Sequence, residues 1–155
     1  MRTSARFAGT RAAHRHERVE DYVEAIEQLC RGLGTARVRD VAAFMGVSSV
    51  TVCKMAVRLT ADGLVQQERY GPLRLTGAGR RLARKVEDRH AVVLAFLRSL
   101  GVPAWQAELD AEGIEHHVSA ATIAAMRRSL GRKNDGRVQG KRAARAKGKN
   151  EGKRS

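Results

Sequence analysis

Apolar side chains recur at spacings of three and four residues in several stretches of the chain, which is the spacing of a helix face that packs against a core. The first stretch predicts an amphipathic helix over residues 19–31, which ends at the glycines that follow it. A short second helix begins at Val38, and after a tight turn at Gly46 either Ser48 or Ser49 can cap a third helix. Two helices joined by so short a turn predict a helix-turn-helix.

The third helix carries the apolar residues Val50, Val57 and Leu59 and is followed by an Asp-Gly pair that favours a helix end. Two short apolar segments then flank a Gly-Pro turn, residues 64–67 and 73–75. This pattern predicts a small antiparallel β-ribbon, which would form a wing beside the helix-turn-helix.

Thr76 is suited to cap a long helix of about 24 residues, up to the Gly-Val-Pro sequence that begins at Gly101. Two further helices are predicted over residues 104–118 and, capped by Ser119, over residues 120–130. A helix as long as the first of these is typical of a bundle or a dimer. The predicted fold class is therefore all-α with a small β-ribbon wing, a winged helix-turn-helix domain followed by a helical dimerisation domain.

The charge of the chain is strongly positive and unevenly distributed. Its 155 residues contain 30 Lys and Arg against 16 Asp and Glu, a formal net charge of +14. Residues 131–155 are basic and almost without apolar side chains, so we expect a disordered tail, and residues 1–18 a weaker disordered basic arm. Between them we expect a DNA-binding domain over residues 19–79 and a metal-binding and dimerisation domain over residues 80–130.

Several function classes are disfavoured by composition. No stretch approaches the roughly 18 to 20 consecutive apolar residues of a membrane span, and the first residues do not resemble a signal peptide. Cys30 and Cys53 are too few and too far apart for a disulfide framework or a thiolate metal site. We therefore expect a soluble cytoplasmic protein with no membrane partner.

The third helix has the chemistry of a DNA recognition helix, because short polar and basic side chains in its first turns can reach base edges in the major groove. Other basic residues near the second helix and on the wing could hold phosphates. Alternatively, the Ser and Thr residues are only helix caps, in a common three-helix packing; Cys53 is interpreted as a small packing residue. The candidate DNA contacts are Arg37, Arg39, Ser48, Ser49, Thr51, Lys54, Arg58 and Arg69.

Carboxylates and histidines form a second candidate site. Glu112, Glu115 and His116 are spaced to share one helix face, Asp21 and Glu24 show the same close spacing on the first helix, and His90 lies on the long helix. Each feature alone is more often a solvated face or a hydrogen-bonded core histidine. Together these oxygen and nitrogen donors suit a hard divalent ion such as Mn²⁺ better than tetrahedral Zn²⁺.

The motifs resemble the DtxR/MntR family of metal-dependent bacterial repressors, and more closely its manganese branch. They are V-E-D-Y-V-E-A-I at 19–26, V-R-D-V-A at 38–42, G-V-S-S-V-T-V-C-K-M at 46–55, L-R-L-T-G-A-G at 73–79, R-H at 89–90 and D-A-E-G-I-E-H-H at 110–117. The resemblance implies a homodimer that represses metal-uptake genes. It also implies the metal ligands Asp21, Glu24, His90, Glu112, Glu115 and His116.

Mn²⁺ is the expected ion and Fe²⁺ the alternative, because iron-responding relatives tend to carry Met in place of Asp21 and Cys in place of Glu112. The expected partner is double-stranded DNA with a palindromic operator, since a symmetric dimer presents two recognition helices. Three other functional hypotheses remain. The protein could be a metal-independent winged-helix or nucleoid-associated protein, an iron-responsive regulator, or a metallohydrolase. The chain has no H-E-x-x-H motif or phosphate-binding Gly loop, so we do not expect an enzyme.

Overall fold

The computed structural model describes residues 2–132, with side chains described from His16 onward. It divides into two compact units between Asp88 and Arg89. The prediction of a disordered tail falls outside the described residues, apart from residues 131 and 132, which belong to the last described helix. The elements in chain order are α1 Arg2–Leu33, α2 Val38–Met45, α3 Ser49–Ala61, β1 Val65–Gln67, β2 Leu73–Leu75, α4 Gly77–Ser99, α5 Ala104–Glu115 and α6, residues 120–132.

Helix α1 begins at Arg2, well before the predicted start at residue 19, and ends at Leu33 as expected. The expectation of a disordered arm over residues 1–18 is thus corrected for residues 2–18, which continue the helix. Apolar periodicity reports which residues pack against a core, whereas Ala and Arg form helices through intrinsic propensity without such packing. The segment before residue 19 is rich in both.

The first unit contains the predicted helix-turn-helix. Helices α2 and α3 are bent by 112° relative to each other, within the range of this motif. Gly46 ends α2 with a positive φ of 66°, a conformation that glycine adopts without steric cost. Ser48 is the N-cap of α3, where its Oγ accepts a hydrogen bond of 3.1 Å from the backbone N–H of Thr51.

The core of the first unit joins α1, α2, α3 and the ribbon, with Val23, Ile26 and Leu59 among its fully buried residues. The predicted apolar pattern of α3 is partly wrong, because Val50 and Val57 are exposed. The helix buries Val52, Ala56 and Leu59 instead. The interpretation of Cys53 as a small packing residue is also wrong, because its side chain is exposed.

The ribbon is antiparallel, with Val65 opposite Leu75. Its turn closes at Gly71, whose N–H donates to Glu68 O at 2.8 Å. Thr76 caps α4 as predicted: its Oγ1 accepts a hydrogen bond of 3.1 Å from the N–H of Gly79. Gly79 packs so closely against the ribbon that an added Cβ would lie 2.2 Å from Leu64 O.

The second unit comprises the end of α4, then α5 and α6. Helix α5 ends at Glu115, three residues before its predicted end, and a turn follows at residues 116 and 117. The sequence there has no glycine or proline to mark a helix end. Ser119 caps α6 as predicted, because its Oγ accepts a hydrogen bond of 3.2 Å from the N–H of Thr122.

No single helix within residues 2–132 is long and apolar enough to cross a membrane. The bent pair α2 and α3 reaches the required length and apolar composition when its two helices are counted together, and only length and composition support it.

Candidate metal centre and nucleic-acid interface

The recognition helix α3 presents its polar residues to solvent. All eight predicted DNA contacts, on this helix and elsewhere in the first unit, are exposed. The first turn of α3 contains no acidic residue. Lys54, in the second turn of the same helix, is exposed. The hydroxyls of Ser48 and Thr51 lie 2.8 Å apart, so each holds the other near the start of the helix.

Asp40 contacts both arginines at the start of α2, the backbone of Arg37 and the side chain of Arg39. Asp40 accepts a hydrogen bond of 3.2 Å from the backbone N–H of Arg37, and its other oxygen pairs with Arg39 Nε at 3.2 Å. The side chain of Arg39 stays 81% exposed in this pair. An exposed ion pair of this kind is weak, so it holds the guanidinium of Arg39 only loosely.

The tip of the wing presents an arginine on an aromatic ring. The guanidinium of Arg69 lies 5.2 Å from the centroid of the Tyr70 ring, a cation–π distance. Tyr70 is 85% exposed and has a positive φ of 61°, which is unfavourable for a residue with a side chain. Sequence reasoning identified Arg69 but missed Tyr70, because backbone strain has no signature in the sequence.

In the second unit, His90 of α4 meets the carboxylates of α5. Its Nδ1 lies 2.7 Å from Glu115 Oε2, a short hydrogen bond, and 3.7 Å from Glu112 Oε1. Its Nε2 lies 3.5 Å from Glu108 Oε2, a carboxylate that sequence reasoning did not select. Glu108 precedes Glu112 by four residues, so the same helical spacing could have found it.

Glu115 is the most unusual member of this cluster, because its side chain is only 1% exposed. Its second oxygen, Oε1, is buried and accepts no hydrogen bond from any described residue, although His116 Nε2 lies 3.4 Å away. Burial raises the pKa of Glu115 above its ordinary value, and the charges of His90 and His116 oppose this only in part. Burial thus disfavours the charged form of this carboxyl group.

The imidazoles complete the second-unit cluster. Burial lowers the pKa of His90, whereas the charge and hydrogen bond of Glu115, together with Glu112 and Glu108, raise it. The acidic neighbours outweigh burial, so the pKa of His90 lies above its ordinary value. The side chain of His116 is 6% exposed, and its Nδ1 lies 3.3 Å from the guanidinium of Arg89. The structure thus brings together four of the six predicted metal ligands, His90, Glu112, Glu115 and His116.

The two remaining predicted ligands lie on α1 in the first unit. Asp21 and Glu24 are both half-buried, and Glu24 accepts a hydrogen bond of 3.1 Å from Gln28 Nε2. Sequence reasoning missed their neighbour Glu20, which is 1% exposed and lies 3.3 Å from His16 Nε2. A buried glutamate cannot be recognised from a pattern in which acidic residues are expected to face solvent.

The donor chemistry fits a hard divalent cation. Within the described part of the chain, no three or more His, Cys, Asp or Glu side chains already stand in an arrangement that could hold an ion, and the donors of the second unit pair with one another instead. The buried Oε1 of Glu115 nevertheless has an acceptor position that no N–H or O–H fills. Carboxylate oxygens and imidazole nitrogens are suitable ligands for Mn²⁺ or Fe²⁺.

The exposed recognition helix, its wing and the separate helical unit define a class of protein, the winged helix-turn-helix DNA-binding regulators. Residues 15–73 match the family model described as iron dependent repressor, N-terminal DNA binding domain. Residues 76–136 match the model described as iron dependent repressor, metal binding and dimerisation domain. The chain belongs to this family of transcriptional repressors, as the resemblance of its motifs predicted.

Individual relatives agree with this assignment. The chain is 46% identical over 121 residues to the transcriptional regulator MntR of Escherichia coli O157:H7, a match that covers 78% of each chain. It is 39% identical to the HTH-type transcriptional regulator MntR of Bacillus subtilis, over 68% of this chain and 74% of that one. A solved manganese-dependent transcriptional repressor in complex with manganese matches with a TM-score of 0.66 and 30% identity, over 73% of this chain and 52% of that chain. The chain thus spans only about half the length of this solved relative.

Proposed function

We propose that this protein is a Mn²⁺-dependent repressor of metal-uptake genes, which binds a palindromic operator as a homodimer in the cytoplasm. The observation that carries the metal requirement is Glu115, with one oxygen bonded to His90 and the other buried without a donor. Leaving a buried acceptor unsatisfied costs about 1–3 kcal/mol, and more for a charged group. A cation beside this oxygen would offset that cost.

The proposed ligands are the six named from the sequence: Asp21, Glu24, His90, Glu112, Glu115 and His116. A bound cation would supply the positive charge that lets these carboxylates approach one another. Mn²⁺ is favoured by the relatives named MntR and by the manganese complex among the similar structures. Fe²⁺ is the second ion of the proposal, because the matching family models are those of iron-dependent repressors.

The ligands' positions along the chain explain how a cation could control DNA binding. Asp21 and Glu24 belong to the unit that carries the recognition helix, whereas His90, Glu112, Glu115 and His116 belong to the unit matched by the dimerisation model. Without a cation, the negative charges of these carboxylates repel one another, so we expect the two units to be loosely coupled. With the six donors joined, the recognition helices of a dimer would keep a fixed spacing that matches two half-sites.

The test begins with duplexes selected from a random library by the full-length protein in the presence of Mn²⁺. Operator affinity is then measured at fixed ionic strength with a chelator and with Mn²⁺, Fe²⁺, Co²⁺ or Zn²⁺. We expect Mn²⁺ to tighten binding by about 5 to 150-fold, the usual range of allosteric coupling. Glu115→Ala and His116→Ala should lose this response.

A matched control is Glu87→Ala, which removes an exposed glutamate that pairs with Arg31 on the first unit; it should keep the Mn²⁺ response. Equal affinity with chelator and with Mn²⁺ would instead favour a metal-independent winged-helix protein. A selected site without two-fold symmetry would contradict the palindromic operator.

A further inference from the structure

An apolar stripe runs along the outward face of the recognition helix α3. It is formed by Val50, Cys53 and Val57, which are three, four and seven positions apart and therefore follow one another on a single helix face. Val50 is 64% exposed and Val57 is 73% exposed, and Cys53 is exposed as well. The residues that α3 buries in the core belong to a different face of the helix.

This stripe is unfavourable for the isolated protein. Valine loses side-chain rotamer freedom in a helix, so it is a poorer helix former than alanine at an exposed position. Its methyl groups also remain in contact with water, where they stabilise nothing. Two exposed valines beside an exposed cysteine are therefore more easily explained as a contact surface than as part of the fold.

The charges around the stripe identify the kind of partner. Lys54 and Arg58 adjoin the stripe on the exposed surface of the same helix, and both are exposed. Ser49 lies at the start of the helix, whose first turn has no acidic residue. A surface that combines an apolar centre with a cationic border is complementary to the major groove, where phosphates line the edges and the thymine methyl is the apolar group that bases present.

We propose that Val50, Cys53 and Val57 contact thymine methyl groups, so that each operator half-site carries thymines at the positions that face this stripe. This inference rests on the proposed DNA-binding function and adds to it the base that the helix selects. The basic neighbours of the stripe would position the helix on the backbone, and the apolar contacts would provide part of the sequence preference.

The direct test replaces single thymines of a selected duplex by 2′-deoxyuridine, which removes only the C5 methyl group. Affinities of the full-length protein are measured with Mn²⁺ at fixed salt. Burying one methyl group corresponds to about a fourfold effect on affinity. We expect at least one thymine in each half-site whose replacement weakens binding by about fourfold.

The valine variants show whether the stripe makes that contact. In Val50→Ala or Val57→Ala, the deoxyuridine penalty at the facing thymine should disappear, because the partner of the methyl group has been removed. Both residues are exposed, so these variants should fold. Leu33→Ala removes another side chain that is 64% exposed, away from α3, and should retain the full penalty.

Alkylation of Cys53 gives an independent measurement of what covers the stripe. Reaction with iodoacetamide should slow at least tenfold when the selected duplex is bound, with Cys30 in the same molecule as the internal reference. Protection of Cys53 together with a methyl-dependent affinity supports the inference.

Three results would overturn the inference, and they are distinguishable from one another. Protection of Cys53 without any deoxyuridine effect would keep the recognition helix in the groove and reject methyl contacts. A change of oligomeric state in Val57→Ala with unchanged DNA affinity would assign the stripe to a protein contact. Failure to enrich any duplex would reject the proposed function together with this inference.

Discussion

Glu115 combines full burial with an acidic side chain, a combination that opposes folding unless the charge is compensated. We expect Glu115→Gln to abolish the Mn²⁺ response while leaving the Tm of the metal-free protein unchanged or higher, because glutamine can still accept the hydrogen bond from His90 without a charge to bury. A gain of about 1 kcal/mol would raise the Tm by about 2–4 °C. Thermal unfolding in the presence of a chelator measures this.

Glu112→Gln is the matched control for that prediction. The side chain of Glu112 is 66% exposed, so its replacement should weaken Mn²⁺ binding without changing the metal-free Tm. A large drop in the Tm of Glu115→Gln would mean that the buried carboxylate serves the fold and not the metal.

The same residues predict how Mn²⁺ binding depends on pH. The pKa values of His90 and Glu115 are both raised, so their protonated forms persist to higher pH than usual. A cation must displace these protons, and Mn²⁺ binding should therefore strengthen as the pH rises through and above the ordinary pKa of histidine, about 6.5. For each proton displaced, the Kd should fall by up to about tenfold per pH unit. Calorimetric titrations in buffers of different ionisation enthalpy would detect the released protons, and a pH-independent Kd would contradict the prediction.

Single residues also show how far a sequence can predict this site. Spacing alone grouped Glu112, Glu115 and His116, because helical periodicity is a local property. That the Oε1 atom of Glu115 is buried without a donor, or that Glu108 lies near His90, depends on the packing of α5 against α4. Such packing has no local signature, and the ligand set as a whole stays a prediction.

Among the elements, the junction between the ribbon and α4 depends on a single glycine. Gly79→Ala would place a Cβ against the backbone oxygen of Leu64, and we expect it to destabilise the first unit by about 1–3 kcal/mol, as overpacking does. Gly77→Ala is the matched control, because its Cβ would meet only the end of the Arg81 side chain at 3.5 Å. Urea unfolding of both variants measures the difference, and equal stabilities would contradict the close approach.

Elements were predictable where their signals are local. The caps Ser48, Thr76 and Ser119 and the glycine turn after α2 fixed most boundaries, since each signal acts within one helical turn. The early start of α1 was missed because propensity, not periodicity, forms that segment. The exposure of Val50 and Val57 was missed because apolar residues that contact a partner give the same hydrophobic pattern in the sequence as apolar residues of a core.

At the scale of the whole molecule, we expect α5 to provide a surface for a second copy of the chain. Trp105 and Leu109 are 68% and 64% exposed and lie one helical turn apart, within the region matched by the dimerisation model. The variant Trp105→Ala with Leu109→Ala should weaken dimerisation by about 30-fold or more, the effect of losing a central tryptophan. Sedimentation equilibrium measures this, with Leu33→Ala as the control; an unchanged dimer would place the interface elsewhere.

The central claim is that a cation and an operator stabilise the same state of the protein. Linkage then requires the operator to strengthen cation binding by the factor by which the cation strengthens operator binding. The most direct measurement is the Kd for Mn²⁺ of the full-length protein with and without a saturating selected duplex, in the wild type and in His116→Ala. We expect the duplex to lower the wild-type Kd by that factor and to have no such effect on the variant. An unchanged Kd in the wild type, beside Mn²⁺-dependent DNA binding, would contradict the account.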